Sequence, residues 1–191
     1  MKDFNRTLSD HIEDSRILQC IRSGLVMLIP ILLLGSIGLV LESFPIEAYQ
    51  NFIATFGSGV LGNVFSAIQT GTFDMLSVYM VVAMSLCYAR QFMEQSKFTY
   101  GSVFTSFIGF AIFSGVGSDT FVFDAFGVKG MFLAILCGII GFATYMLFAR
   151  GIRKKLQLYA DGADAEFNTA IAMFLPMGLT SIVFAVLNYC V

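Results

Sequence analysis

Residues 21–45 constrain this chain more than any other stretch, because their composition suits lipid better than water. The run 23–41 holds 19 residues without a charge, and Arg22 and Glu42 flank it. A helix that crosses a bilayer needs roughly 20 mostly apolar residues, each adding about 1.5 Å of length. The stretch is therefore predicted to be a membrane-spanning helix.

Small residues and a proline inside this stretch indicate that the helix packs against others. Pro30 removes a backbone hydrogen bond, which membrane helices tolerate because neighbouring helices can satisfy the freed carbonyl. Gly35, Ser36 and Gly38 follow it and would let a second helix approach closely.

A second set of small residues lies further along the chain, at Ala134, Gly138 and Gly141. At helical spacing these residues fall on neighbouring turns, where they suit close contact between helices. A bulky residue in place of Gly35 or Gly138 is expected to disrupt assembly.

The composition of the whole chain agrees with a polytopic membrane protein. Hydrophobic residues make up 57% of the chain and charged residues 13%, against about 25% charged residues in an ordinary soluble domain. The mean hydropathy is +0.81. The net charge of −2 does not indicate a partner, because nearly every charge lies in a short connection. Nucleic acid is not expected as a partner. The lipid bilayer is the expected environment.

The apolar runs predict five spans, at approximately residues 23–41, 73–90, 100–118, 130–149 and 168–191. Residues 48–73 are also free of charge, but their glycines and polar side chains leave too little apolar surface to face lipid. This segment is expected to lie flat at the interface or to fold partway into the membrane. The predicted fold is an all-α, polytopic transmembrane helical bundle of about five spans, with an N-terminal amphipathic helix and a short glycine-rich interfacial segment.

The basic residues predict which way the spans point. With these five spans, ten of the eleven Lys and Arg residues fall on one side of the membrane, and only Lys129 falls on the other. The positive-inside rule assigns the basic side to the cytoplasm. A crossing by residues 50–70 would instead export Arg90, Lys97 and the basic cluster at 150–155. The chain is therefore predicted to be a multi-pass protein of the inner membrane with a cytoplasmic amino terminus.

Two regions are predicted along the chain. Residues 1–22 are expected to form a cytoplasmic amphipathic helix along the membrane interface, and residues 23–191 to form the five-span transmembrane domain. The last run stays apolar to Val191, and five crossings would leave it on the outer side. The chain is therefore expected to be the front part of a longer protein.

No catalytic, cofactor-binding or metal-ligating residue is assigned, because no nucleophile with a base, no metal-ligand spacing and no phosphate loop occurs. His11 is the only histidine and has no metal-spaced partner. The four cysteines show no C-x-x-C spacing and are predicted to be small buried side chains. Asp74 could be an embedded functional carboxylate, but its place at the expected start of the second span favours a helix cap. The chain is not expected to be an enzyme by itself.

Short motifs along the chain resemble one known family in their order and spacing. They are I-R-S-G-L-V-M-L-I-P from Ile21, Gly35-Ser36, Phe44-Pro45, Thr70-Gly71-Thr72-Phe73 with Leu76-Ser77, F-G-V-K-G-M-F-L-A from Phe126, and Leu175-Pro176. They are similar to enzyme IIC, the sugar-transporting membrane subunit of the bacterial phosphoenolpyruvate-dependent phosphotransferase system, lactose/cellobiose type. The resemblance covers most of the chain and corresponds to the front half of that subunit.

The resemblance implies a homodimer in which this half supplies a scaffold and much of the dimer interface. The other half of the subunit would carry the sugar site, including a histidine and a glutamate, and would move it across the membrane. Cytoplasmic phosphotransferase partner subunits would phosphorylate the sugar. The resemblance therefore implies no catalytic or binding residue in this chain.

One segment departs from the family pattern and keeps other functions open. Residues 159–168 read Y-A-D-G-A-D-A-E-F-N, where family members usually have a proline-rich stretch. The alternative is a membrane sensor or anchor domain of a signalling protein that carries a cytoplasmic enzyme, such as a cyclic-dinucleotide phosphodiesterase. A third function kept open is a stand-alone membrane interaction protein.

Overall fold

The computed structural model describes residues 16–92, 99–116, 123–155 and 164–190, and these are helical apart from short turns. The α-helices in these ranges are α1 Arg16–Ser43, α2 Glu47–Thr55, α3 Val60–Thr72, α4 Leu76–Phe92, α5 Thr99–Phe113, α6 Met131–Lys155 and α7 Ala165–Cys190. Short 3-10 turns occupy Phe56–Gly59, Phe123–Phe126 and Val128–Gly130. The described residues contain no strand, so the predicted all-α fold is confirmed. Most of the predicted N-terminal helix at residues 1–22 lies outside the described residues, and His11 lies wholly outside them.

Helices α4, α5 and α6 pack against one another and form the centre of the bundle. α1 packs on α4, whereas α7 packs on α5 and α6, so these two long helices flank the centre. Fully buried side chains fill the centre, among them Met80 and Met84 of α4, Phe110 of α5 and Tyr145 of α6. Because lipid is as apolar as these side chains, close fit rather than removal from water holds such helices together.

The five longer helices run alternately up and down, which gives the bundle two ends. The Arg90 end holds the start of α1 and the end of α4, and among the described residues its side chains include Arg22, Arg90 and Arg150. The Asp74 end holds the end of α1 and the start of α4, with Lys129 as the basic residue described there. This alternation matches the order in which the five predicted spans cross the membrane. Which end faces the cytoplasm remains a prediction of the positive-inside rule.

Three of the five predicted spans have the length and hydropathy needed to cross a bilayer, within Ile17–Ser43, Val128–Ile152 and Phe167–Cys190. The other two, α4 and α5, have 17 and 15 residues, or about 25 and 22 Å at 1.5 Å per residue. These shorter helices lie in the centre of the bundle, where each is enclosed by several neighbours. A helix enclosed in this way can be short and can carry polar side chains.

The third predicted span ends earlier than expected, at Phe113 rather than at residue 118. Gly115 has φ of 73°, and the Val116 amide donates a hydrogen bond to the Ala111 carbonyl while the Gly115 amide donates to the Ile112 carbonyl. This pattern is the Schellman motif, which stops a helix at a residue in the left-handed conformation. The apolar run extends beyond the helix because glycine, rather than polarity, ends it.

The segment at residues 48–73 is helical, and its bent shape is compatible with the predicted alternative in which it folds partway into the membrane. It forms α2 and α3, which meet at an angle of 98° around the turn Phe56–Gly59. A Cβ atom on Gly38 would lie 3.1 Å from Ile68 of α3, and one on Gly24 would lie 2.8 Å from Met84 of α4. α3 and α4 therefore follow each other along α1, both antiparallel to it. Together, α3 and α4 cover a greater length of α1 than the short helix α4 covers alone.

The exposed carbonyls at the end of α1 find their partners in α2. The Tyr49 hydroxyl donates a hydrogen bond to the Leu41 carbonyl at 2.8 Å, and the Gln50 side-chain amide donates to the carbonyls of Glu42 and Phe44, both at 2.9 Å. The last turn of a helix leaves four carbonyls without backbone donors. These two side chains of α2 satisfy part of that deficit and fix α2 against the end of α1.

The small residues predicted to permit close helix contact do so within the chain. A Cβ atom on Gly138 would lie 2.7 Å from the Cβ of Met84, and one on Gly141 would lie 2.7 Å from the Ser106 Cα. A Cβ atom on Gly35 would overlap Thr72 at the end of α3. The predicted close contacts at these positions are confirmed, and they join helices of one chain.

Candidate functional site

Three separated pieces of sequence meet at the Asp74 end of the bundle. The Ser77 hydroxyl at the start of α4 donates a hydrogen bond to the Gly127 carbonyl, fifty residues away. Gly35 of α1 lies against Thr72 and Phe73. These residues belong to three of the motifs in the family resemblance. The motifs are distant in sequence, and the fold brings them together as one junction between α1, α4 and the turns before α6.

Glycine is required in this junction because of backbone crowding. A Cβ atom on Gly130 would overlap the Ala125 carbonyl oxygen, whereas one on Gly127 would make only an ordinary van der Waals contact, 3.5 Å from the Phe73 carbonyl oxygen. Backbone atoms cannot move aside as a flexible side chain does. Much of the similarity in the motif at residues 126–134 therefore has a packing reason.

A shallow cleft of about 300 Å³ opens beside the junction. It is lined by Phe73, Asp74, Phe123, Asp124 and Lys129, among others. Lys129 and Asp124 form an ion pair whose side chains are both largely exposed. An exposed pair of this kind contributes little to stability, and the cleft holds no arrangement of nucleophile and base.

Asp74 lies where the sequence predicted it, in the turn just before α4 begins at Leu76. Its side chain is exposed at the edge of the cleft instead of being embedded in the bundle. This position suits a carboxylate near the amide groups of a helix start. Its hydrogen bond to a backbone amide remains a prediction.

A second cleft, of about 330 Å³, lies between α1 and α4 at the Arg90 end. α1 contributes Cys20, Ser23 and Met27, and α4 contributes Cys87, Arg90 and Gln91. The Cys20 thiol donates a hydrogen bond to the Gln91 side-chain oxygen, and the Cys87 Sγ lies 3.9 Å from the Met27 Sδ. Sequence spacing does not reveal this cluster, because 67 residues separate the two cysteines.

The cysteines otherwise follow the prediction of buried side chains at three of four positions. Cys20, Cys87 and Cys137 are buried, whereas Cys190 is exposed near the end of α7. All four are free thiols. The residues that the structure describes contain no group of three or more His, Cys, Asp or Glu side chains placed to hold a metal ion.

The polar side chains in the middle of the bundle are hydroxyls, and most bond within their own helix. Thr105, Ser106 and Thr180 each donate to the carbonyl four residues earlier, at 2.6, 2.9 and 2.8 Å. One hydroxyl contact crosses between central helices, from Ser106 to Ser85 at 3.2 Å. These bonds satisfy the serine and threonine hydroxyls named here within the chain.

Two buried tyrosine hydroxyls, on Tyr88 and Tyr145, lack a hydrogen-bond partner within the described part of the chain. The Tyr145 ring reaches across to α5, where its hydroxyl occupies the space that a Cβ atom on Gly101 would fill. Such a hydroxyl normally finds a donor or an acceptor. These two groups lie far apart in sequence and line neither of the two clefts.

The most extensive surfaces of the described bundle are apolar faces on the flanking helices. Only 22% of the most apolar window of α1 and 17% of that of α7 are buried within the chain. Large exposed side chains on them include Leu33 and Ile37 of α1, and Phe174 and Ile182 of α7. Faces of this size are typical of contact with lipid or with another protein. The geometry therefore provides surfaces for packing and offers no catalytic arrangement.

Two proteins are similar to this chain, and a scan against models of protein families finds no match. The chain is 24% identical over 201 aligned positions to the PTS system oligo-beta-mannoside-specific EIIC component of Bacillus subtilis (strain 168). That alignment covers 100% of this chain and 44% of the relative.

The second similarity is to a solved structure, the crystal structure of the transporter ChbC, the IIC component of the N,N'-diacetylchitobiose-specific phosphotransferase system. The TM-score is 0.82 and the sequences are 18% identical, over 97% of this chain and 45% of the transporter. The chain thus spans less than half the length of either relative. It is a membrane-integral helical bundle that has the fold of part of a phosphotransferase IIC transporter and is similar in sequence to another IIC component.

Proposed function

We propose that this chain is the scaffold and dimerisation half of a sugar permease of the phosphotransferase system, of the lactose/cellobiose type. The observation that carries the proposal is the agreement of fold over 97% of the chain, at a TM-score of 0.82, with a IIC transporter. The sequence similarity to a second IIC component runs over the whole chain. Under this proposal the protein moves a sugar that a cytoplasmic partner domain phosphorylates.

A scaffold role accounts for the character of the bundle. The central serine and threonine hydroxyls bond within the described chain, and the Tyr88 and Tyr145 hydroxyls are the buried polar groups left without a partner there. No carboxylate or histidine lies in the centre formed by α4, α5 and α6 as described. A transporter site near the bilayer midplane usually shows polar or charged groups and interrupted helices. The sugar site would therefore be formed by other residues of the full-length permease, which this bundle would hold in place.

The dimer would use one of the two apolar faces, leaving the other for lipid or for the remainder of the permease. Leu33 on α1 and Ile182 on α7 provide a matched pair of reporters, since their exposed fractions are 58% and 61%. The proposal predicts that Leu33→Cys or Ile182→Cys, but not both, forms a cross-linked dimer in membranes. The background variant Cys190→Ala removes the exposed native thiol. Absence of a cross-link at both positions would contradict the proposed use of these faces.

Transport is tested with the complete protein in membrane vesicles of its host. The vesicles are loaded with phosphoenolpyruvate and the soluble phosphotransferase components, and radiolabelled β-linked disaccharides are added outside. The expected result is a sugar phosphate inside the vesicles that disappears when the gene is deleted. Accumulation of free sugar, or no accumulation for any disaccharide, would contradict phosphorylation-coupled transport.

The alternative of a sensor or anchor for a cytoplasmic signalling enzyme has no support from the two similar proteins, both of which are described as IIC components. The same vesicles distinguish the two functions. Turnover of a cyclic dinucleotide without sugar phosphate formation would favour the sensor.

A further inference from the structure

The cleft between α1 and α4 at the Arg90 end gathers three sulfur atoms from distant parts of the sequence. Cys20 and Met27 lie two turns apart on α1, and Cys87 lies on α4 opposite them. All three line the same cleft of about 330 Å³. The two cysteines are buried, and both are free thiols, so neither sulfur has a covalent partner.

The distance between two of these sulfurs matches that of ligands sharing one metal ion. Sulfur ligands lie about 2.3 Å from a metal ion such as zinc, so two of them at tetrahedral or trigonal angles are about 3.8 to 4.0 Å apart. The Cys87 Sγ and the Met27 Sδ lie 3.9 Å apart. The sulfurs of Cys87 and Met27 thus have a separation suited to a common ion before any ion binds, and Cys20 lines the same cleft.

We infer that Cys20, Cys87 and Met27 bind a soft monovalent metal ion of the Cu(I) class. Thiolate and thioether ligands select soft ions, whereas magnesium and calcium require oxygen ligands. No carboxylate is among the residues lining the cleft. Zinc in structural sites takes four nitrogen, sulfur or carboxylate ligands, whereas the cleft supplies three sulfurs.

The charges in the cleft balance such a complex. Binding releases one proton from each thiol, so two thiolates and one monovalent cation carry a net charge of −1. The guanidinium of Arg90 lines the same cleft and compensates that charge. The Gln91 side chain accepts a hydrogen bond from the Cys20 thiol, and its amide group can turn to donate one to the thiolate. No electron is transferred in this step.

The geometry is tested with silver ion, a soft monovalent ion that needs no reductant. The purified double variant Cys137→Ser/Cys190→Ser retains only the two cleft thiols. Equilibrium dialysis of this variant in detergent against Ag⁺ is expected to give one ion per chain, with both thiols protected from maleimide. Two ions per chain, or protection of one thiol alone, would show that the cysteines bind separately and would overturn the shared site.

Met27 distinguishes a built site from ordinary thiol reactivity. Loss of an outer-shell partner of a metal ligand costs about 10- to 100-fold in affinity, so loss of the thioether by Met27→Leu is expected to weaken Ag⁺ binding at least about tenfold. Met27→Leu conserves volume and is tolerated well. The control Met177→Leu on α7 is expected to leave affinity unchanged. Equal affinity for both variants, or fewer than three sulfur neighbours by X-ray absorption on the unmutated protein, would overturn the site.

Discussion

The contact between α5 and α6 at Gly141 gives the sharpest test of how this bundle is held together. A Cβ atom at residue 141 would lie 2.7 Å from the Ser106 Cα and 3.0 Å from its Cβ. Favourable carbon–carbon contacts lie at about 3.5 to 4.0 Å, so Gly141→Ala requires the two helix backbones to separate locally. Ser106 is completely buried and cannot move aside into open space.

The control is Gly178→Ala on α7, where a Cβ atom would meet nothing within 4 Å. Alanine is favoured over glycine inside a helix by about 0.8 to 1.0 kcal/mol, and both variants receive this gain. Overpacking of a close contact costs about 1 to 3 kcal/mol, and only Gly141→Ala incurs it. The two variants should therefore differ in unfolding free energy by about 1 to 3 kcal/mol.

Thermal unfolding in detergent, followed by circular dichroism, measures the difference. At about 2 to 4 °C per kcal/mol for a chain of this size, Gly141→Ala should unfold at least about 2 °C below Gly178→Ala. The reasoning would be refuted if Gly141→Ala were as stable as Gly178→Ala, because the two helices would then not be in backbone contact at this position.

Three further tests follow from the described contacts. Ser77→Ala removes the hydroxyl that donates to the buried Gly127 carbonyl, which keeps the Gly130 amide as a donor, and should cost about 0.5 to 1.5 kcal/mol in the same assay. An unchanged melting temperature would contradict the junction. Gln50→Ala removes the side-chain hydrogen bonds to the Glu42 and Phe44 carbonyls and should speed hydrogen exchange of the backbone amides of α2. Exchange at the rate of the unmutated protein would show that these bonds do not hold α2 in place. In a Cys190→Ala background, which removes the exposed native thiol, Arg150→Cys should react with an impermeant maleimide only after cells are opened, whereas Lys129→Cys should react in intact cells. Labelling in the reverse order would contradict the positive-inside prediction.

The sequence predicts the long helices well because lipid imposes a simple rule on them. The charge-free run at residues 23–41 lies inside α1, and the expected fourth and fifth spans lie largely within α6 and α7. Lipid-facing helices must be apolar over most of their surface, so a run of about 20 mostly apolar residues in the sequence identifies them. The enclosed helix α4 lacks this constraint, which explains why the second span, with only 15 charge-free residues from Met75 to Ala89, is less distinct in the sequence.

The segment at residues 48–73 shows what composition leaves open. Its glycines and polar residues exclude a helix exposed to lipid on all sides, but α3 packs on Gly35 and Gly38 of α1. Composition leaves open whether the segment lies flat or folds partway into the membrane, and the bent pair of α2 and α3 is compatible with the second of these alternatives. The right-angled turn at Gly59, where φ is 85°, depends on glycine in a conformation that other residues avoid.

The two clefts could not be predicted from spacing, because each joins residues from separate helices. The Asp74 end junction is partly visible in the sequence, since its motifs are those of the family resemblance. The sulfur cluster is not visible, because the proximity of Cys20 to Cys87 depends on the register of α1 against α4. Only the folded pairing of these two helices supplies that register.

The hydroxyl groups that bond back to their own helices bear on how such a protein is made. Ser102, Thr105 and Ser106 on α5, and Thr180 on α7, are satisfied by carbonyls of the same helix. Each segment can therefore leave the translocation machinery and enter the bilayer without waiting for a neighbour to neutralise its polar groups. Insertion and assembly are then separable events in the biogenesis of this protein, and the second of them depends on shape.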